Sequence, residues 1–325
     1  ASAVVYSAVD TELNIEVALK ILSPNLIQED ENIEENFIKD AVNHTCLKHP
    51  NLVRILGIEK DEQFTYLVIE LFDSNSLETV MKTETAIDQL TAIKIILKVC
   101  KALEYALSLN ILHRNIKPSN ILIDKNFQIK LTGFGLEKII QKREHFYTAG
   151  KIYGTLYYMA PELFTDPFNI DCRSDIYSIG IIFYYLLTNI LPLETNNTGE
   201  IISMHIKSNF ISPNKIKNNI SKELSDFIMK LLEKNPVDRY QNYSVLISEL
   251  EKIESQYYKG STISPDSEES GDINISTTVL KYLKTRENVI SKVNTFRKDE
   301  KSSLYKPPNI DVSFESPNII NVNKP

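Results

Sequence analysis

No glycine precedes Gly57 in this 325-residue chain, and only nine occur in all. A loop that wraps phosphate with bare glycine backbone therefore cannot be built in the first part of the sequence, because only glycine allows so close an approach. Positive charge is also short. The 36 Lys and Arg stand against 43 Asp and Glu, giving a net charge of -7 and a pI near 5.4. That excludes nucleic acid as a general partner, which needs clustered Lys and Arg facing phosphate. Cysteine is scarce. Cys46, Cys100 and Cys172 lie far apart without metal-ligand spacing, which excludes a disulfide framework and suits a reducing, cytoplasmic setting. All three are expected as buried thiols acting as small hydrophobes. Long apolar runs are missing too. The longest, SIGIIFYYLLTNILPL, closes with Pro192; it is short for a membrane span and reads as a buried core helix. No signal peptide is visible, but Ala1 is not an initiator methionine. The expectation is a fragment, with any upstream targeting or membrane segment left open.

What is present is enough apolar material for a core, 42% of residues. The first part alternates like strands, in VVYSAVD and EVALKIL around the turn-like TELN. IEENFIKDAVNHTCLK has helical spacing, with Phe37, Ala41 and Leu47 facing inward. HPNLVRILGIEKDEQFTYLVIELF reads as two strands joined by a polar turn. From LTAIKIILKVCKALEYAL onward helices dominate, interrupted by short strands at NILI and QIKL. Strands first and helices later make an α+β pattern of two lobes. After Glu254 the composition turns polar and then rich in Asn, Pro and Ser, so residues 255–325 are expected to be a largely disordered tail. Within it, VLKYLKTRENVISKVNTF at 279–296 has the spacing of one amphipathic helix.

Six stretches fall into one order: VALK with Lys20, HRNIKPSN at 113–120, GFG at 133–135, YMAPE at 158–162, SDIYSIG with Asp175, and NPVDRY with Arg239. Together they resemble a protein kinase domain over roughly residues 1–254. The wording around them is similar to serine/threonine kinases of bacterial type, and Lys117 supports that side. The resemblance implies a small β-rich N-lobe with one helix over about residues 1–70. A large helical C-lobe follows over about 73–254, and the start of the glycine loop is missing.

The resemblance also implies roles. Lys20 would neutralise the α- and β-phosphates of ATP. Asp40 stands where its helix partner is usually glutamate, one methylene shorter, so the helix would have to move inward to keep the pair. Ala18 and Leu122 would sandwich the adenine with Val5 above it. Ile69 would be the gatekeeper, and the backbone of Glu70 and Phe72 the hinge. His113 and Phe134 match the side chains that link the lobes, and Arg114 the receiver of an activation-loop phosphate, at Thr148. Thr155 matches the threonine facing the substrate. Asp175 would tie down the catalytic loop, and Glu162 with Arg239 would form the buried ion pair of the large lobe. His44 stands where an apolar residue is usual and is expected as a partly exposed histidine without a role.

Three departures bear on chemistry. Ala3 replaces the third loop glycine. Asn115 replaces the aspartate that accepts the substrate's proton, and a carboxamide has no useful basicity; losing such a base costs about 10²–10⁴-fold. Gly133 replaces the aspartate that holds Mg²⁺, leaving Asn120 as one weak neutral ligand. The expectation is a pseudokinase that binds a protein partner, with ATP as a ligand, Mg²⁺ disfavoured, and the scaffold kept. Two rivals stand beside it: a weakly active serine/threonine kinase using Lys20 and Asn120, and an interaction module that binds no nucleotide.

Overall fold

A computed structural model describes residues 3–11, 13–23, 32–60, 64–82, 87–134, 154–166, 170–193, 195–260 and 310–311. The alternation in VVYSAVD and EVALKIL becomes β1 (Ala3–Asp10) and β2 (Ile15–Leu22), an antiparallel hairpin in which Val5 lies opposite Lys20 and Ser7 opposite Ala18. The stretch between HPN and the hinge becomes β3 (Ile55–Lys60) and β4 (Thr65–Glu70). Residues 65–68 of β4 are all buried, because this strand pairs with β3 on one side and β2 on the other. The sheet order is β3-β4-β2-β1-β8, where β8 is the two-residue strand Ile310–Asp311. Two tail residues expected to be loosely attached thus pair with Val9 and Asp10 at the outer edge of β1. The helix expected at 279–296 lies outside the described residues.

Helix α1 (Asn32–His44) covers one face of the sheet. Ile33, Phe37 and Ala41, four residues apart on one stripe, bury against Leu22 and Leu67. The segment after α1 is stitched to the large lobe as well as to its own. Val53 N–H donates to the Leu131 carbonyl at 3.0 Å, and Leu131 N–H to the Asn51 carbonyl at 2.8 Å. The strand β5 (Asn75–Ser76) and helix α2 (Leu77–Met81) follow the hinge. Ser76 caps α2 by accepting the Thr79 N–H.

In the large lobe, α3 (Gln89–Ser108) starts on the Asp88 cap and buries Ile93, Ile96, Cys100 and Leu103. The strand β6 (Ile121–Ile123) pairs with β5 on one side and with β7 (Ile129–Leu131) on the other, forming a second small sheet. The short helix α4 (Pro161–Thr165) leads to α5 (Cys172–Thr188), which forms the longest apolar run and is buried nearly all round. It begins on the Asp171 cap and ends at Asn189, whose φ of 60° closes the helix in the left-handed region. Around it pack α6 (Thr198–Lys207), α7 (Pro213–Ile216), α8 (Lys222–Leu231) and α9 (Tyr243–Gly260). Gly180 of α5 has no room for a side chain. A Cβ there would lie 2.8 Å from the Leu231 Cβ, so the glycine sets how closely α5 and α8 approach. Of the three thiols, Cys100 and Cys172 are buried as expected, but Cys46 is exposed, because it lies in the turn that ends α1.

The expected ion pair of the large lobe is formed. Arg239 Nη1 and Nη2 donate to the two Glu162 carboxylate oxygens at 2.7 and 2.8 Å. The remaining guanidinium N–H groups reach the carbonyls of Glu233, Arg173 and Lys234, so all five donors are used. Burial pushes the Glu162 carboxyl up, but the Arg239 hydrogen bond and charge hold it below the usual carboxylate range. Arg239 joins the loop before α9 to α4 and α5 at once.

Replacing Arg239 by Met should leave Glu162 buried beside carbonyls with no cation. The expected loss is about 3–5 kcal/mol of folding free energy, read as a fall in the urea midpoint at neutral pH. A midpoint that stays put would show that the pair is dispensable.

Candidate functional site

The site forms where the loop between α3 and β6 meets the sheet. HRNIKPSN cannot be a regular helix. Pro118 starts a short 3-10 turn, and Arg114 has a φ of 65°, which costs a non-glycine residue energy. Asp175, at the start of α5, holds that shape. Its carboxylate accepts the His113 N–H at 3.2 Å and the Arg114 N–H at 2.9 Å, with the Tyr243 hydroxyl at 3.5 Å. Burial pushes the Asp175 carboxyl up to about 7, against the pull of the two backbone N–H groups. Sequence comparison singled out Asp175 but not Tyr243, since an N-terminal helix tyrosine carries no motif.

His113 is fully buried and fixed in one tautomer by geometry. Its Nε2 lies 3.0 Å from the Thr132 carbonyl, which can only accept, so Nε2 carries the proton. Nδ1 then accepts the Asn115 N–H at 3.2 Å. Burial holds this imidazole down at about 3, so it stays neutral. The Asn120 side-chain Nδ2 donates to the Asn115 carbonyl at 2.8 Å. Each residue of the loop is thereby located by backbone bonds that need no charge on residue 115. Asn115 itself is buried, and its Oδ1 has no hydrogen-bond partner among the described residues. The amide oxygen can accept a hydrogen bond there but cannot take a proton. Lys117 is buried beside it.

Above the loop, the predicted slot residues do converge. Val5, Ala18, Lys20, Ile69, Glu70, Phe72, Asn120 and Leu122 line one cavity between the lobes, together with Val53, Leu71 and Thr132. Its free space is about 40 Å³. That is room for water, not for a purine, in this conformation. Behind it, Lys20, His44, Gly133 and Phe134 line a second cavity of about 30 Å³.

Two expectations change, and one falls outside the described residues. Asp40 is half-buried, and among the described residues no ion pair joins it to Lys20. The shorter aspartate has not been compensated by an inward shift of α1. His44 is not exposed: it is 7% exposed and its ring lies 5.7 Å from Phe134, which in turn lies 4.4 Å from His113. The two histidines and Phe134 pack as tilted rings in one column between the lobes, and His44 takes the apolar place because an imidazole packs edge and face like a small aromatic ring. Thr155 lies in the turn Gly154–Tyr158, but its side chain and Thr148 fall outside the described residues.

Asn120 packs directly against residue 133. Gly133 has a φ of 93°, and a Cβ there would lie 2.6 Å from Asn120 Nδ2 and 2.7 Å from its Cγ. The side chain of Asn120 occupies the space that a ligand at residue 133 would need. Glu70, at the hinge, is the one carboxylate among the described residues lining either cavity. Magnesium takes carboxylate and water oxygens in near-octahedral array; the donors described here, one amide oxygen and a glycine, do not fit it.

A second buried histidine locks the neighbouring loop, and no pattern in the sequence marks it. His205 of α6 is 0% exposed; its Nε2 lies 2.9 Å from the Leu156 carbonyl and its Nδ1 2.8 Å from the Tyr177 hydroxyl. Burial holds it down at about 3 as well.

Comparison with known proteins agrees with this arrangement. Residues 1–250 match the model of the protein kinase domain. A probable serine/threonine-protein kinase of Clostridium perfringens is 35% identical over 268 residues, covering 82% of this chain and 38% of the relative. One of Clostridium acetobutylicum is 32% identical over 256 residues, covering 79% and 38%. Serine/threonine-protein kinase PknB of Mycobacterium leprae is 29% identical over 255 residues, covering 77% and 41%. The chain thus spans about two fifths of the length of these curated relatives.

Two outcomes are expected of this geometry. Gly133→Asp should lower the melting temperature, through about 1–3 kcal/mol of backbone strain and the collision with Asn120, and should not by itself create a magnesium response. A melting temperature that is unchanged and rises with Mg²⁺ would contradict the filled position. Stability should also depend on pH. His113 and His205 are depressed to about 3 from 6.5. Their contribution is therefore complete above about 6.5 and is lost as pH falls toward 3. Asp175 is raised to about 7 from 3.8, so its contribution runs the other way and is lost as pH rises through 7. Between about pH 4 and 6.5 two histidines oppose one aspartate, and stability should rise with pH. His205→Gln keeps both hydrogen bonds without the titration. It should reduce that slope by about 1.4 kcal/mol per pH unit, measured by urea unfolding at pH 5 and 6.

Proposed function

The chain belongs to the protein kinase family, and on that premise we propose that it is a serine/threonine-type kinase domain with impaired phosphoryl transfer, a pseudokinase that acts by binding a protein partner. The observation that carries the reading is Gly133 packed against Asn120 at a positive φ, in the place where the family holds its metal. Asn115 adds to it. A substrate hydroxyl beside Asn115 could be oriented by the free Oδ1, but its proton would have no base to go to. Bound ATP would bring the phosphoryl group and adenine. Lys20 would meet its phosphates, and Ala18, Leu122 and Val5 would enclose its base once the lobes part. Magnesium would add little. The scarcity of cysteine supports a cytoplasmic setting, and the net charge of -7 speaks for protein rather than nucleic-acid partners. No helix among the described residues is long and apolar enough to cross a membrane.

A second reading has its own support. The relatives are named serine/threonine-protein kinases, and the names fit a working kinase better than a silent one. Lys20, Lys117 and Asn120 are present for it. On this reading the chain transfers the γ-phosphate of ATP to serine or threonine slowly, without the usual base and metal carboxylate.

Radiolabelled ATP separates the two. With and without Mg²⁺, the purified chain should label itself and a general protein substrate no more than its Lys20→Met variant does. Incorporation that disappears in Lys20→Met would establish the second reading and end the first.

A further inference from the structure

An open groove of about 720 Å³ lies outside the slot, lined by the start of β2, the segment between α1 and β3, and the hinge residues Glu70 and Leu71. That volume is in the range of about 300–1,000 Å³ that ligand clefts occupy. Two large apolar side chains stand exposed in it, Ile15 at 43% and Leu56 at 41%. Leu56 is placed there by a bulge in β3. Ile55 pairs with Ile69 and Gly57 with the next partner, Val68, so Leu56 is the extra residue of the strand. A bulge re-aims a side chain where a regular ladder would not. Here the re-aimed side chain is apolar and lines an open groove.

The charges of the groove are sorted by position. Glu70, in the middle, meets Lys130 Nζ at 2.7 Å and accepts the Arg54 N–H at 3.3 Å. Burial and the Lys130 charge hold His49 below the usual imidazole range, so it is neutral at pH 7. Lys48 and Arg54, on the β3 side, are exposed, and neither side chain has an ion-pair partner among the described residues. Glu16 is exposed on the β2 side. The end of β4 separates the two sides: Val17 pairs with Glu70, and the Glu70 N–H donates to the Arg54 carbonyl at 2.9 Å. In a chain of net charge -7, two uncompensated cations thus stand beside two exposed apolar side chains.

We propose that this groove docks an acidic segment of a protein partner, with apolar residues seated on Ile15 and Leu56 and carboxylates beside them meeting Lys48 and Arg54. Apolar contacts supply the area, and complementary charge selects the partner and sets its direction. Because Lys48 and Arg54 make no ion pair within the chain, a carboxylate that meets them displaces no existing partner. A basic segment would face them as like charges. Only Glu16 would receive it, since Glu70 already holds Lys130. The inference rests on the partner-binding half of the proposed function. Peptide binding is measured apart from phosphate incorporation, so either can fail without the other.

Fluorescence anisotropy with labelled octapeptides tests it on the full 325-residue chain. The probe carries two central leucines with three glutamates on each side. One control has lysines in place of the glutamates, and another has serines in place of the leucines. The acidic probe should bind saturably, at least about tenfold tighter than either control, and should weaken as salt rises. The Lys48→Glu, Arg54→Glu variant should reverse the preference and bind the lysine peptide better, whereas a merely destabilised fold would lose both. The proposal fails if the acidic probe does not saturate below about 1 mM, if the serine control binds as well, or if charge reversal leaves the preference unchanged. It fails too if a single-stranded oligonucleotide of equal charge competes as well as unlabelled probe, which would make the groove a general polyanion site. Apparent affinity that falls as protein concentration rises would place a second copy in the groove and overturn it as well.

Discussion

A buried carboxylate organises the centre of this molecule. Asp175 sits at the start of the most buried helix, α5, and takes the N–H groups of two successive residues of the loop opposite, His113 and Arg114. Those bonds hold Arg114 in a left-handed conformation that it would not adopt alone. From that fixed point the rest follows: His113 accepts the Asn115 N–H, Asn120 donates to the Asn115 carbonyl, and Phe134 packs tilted against the His113 ring. The arrangement requires Asp175 to accept and His113 to stay neutral. It asks nothing of the side chain at 115 beyond its size.

That independence separates the frame of the loop from the charge carried at 115 and 133. The groups that shape the loop are backbone N–H and C=O, supported by Asp175 and by the Glu162–Arg239 pair. Substituting an amide at 115 or a glycine at 133 removes charge without removing any of these bonds. With glycine at 133, the Asn120 side chain lies where a Cβ at that position would be.

The small lobe is tied differently. Its loop after α1 is bonded to β7 of the large lobe through Asn51, Val53 and Leu131, while Asp40 of α1 makes no ion pair to Lys20. The stack of His44, Phe134 and His113 joins the lobes through rings rather than charges. The slot between the lobes has little free space in this conformation.

Much of this was legible in the sequence. Two lobes followed from alternation giving way to helical spacing, and Asp175, Glu162, Arg239 and the slot residues followed from six motifs in one order. Such features are local, or are tied to neighbours by short fixed spacing, so a linear reading reaches them. Residue identities at 115 and 133 likewise declare by themselves which functional groups are missing. What only the tertiary structure decided are the outcomes of long-range packing. His44 is buried rather than idle because Phe134, ninety positions on, stacks against it. His205 became a lock because Leu156 and Tyr177 converge on it from two other elements. Asp40 fell short of Lys20 because the position of a whole helix, not the residue type, sets that distance. The interlobe slot exists only once β1, β2, β4 and β6 come together, since it belongs to none of them alone.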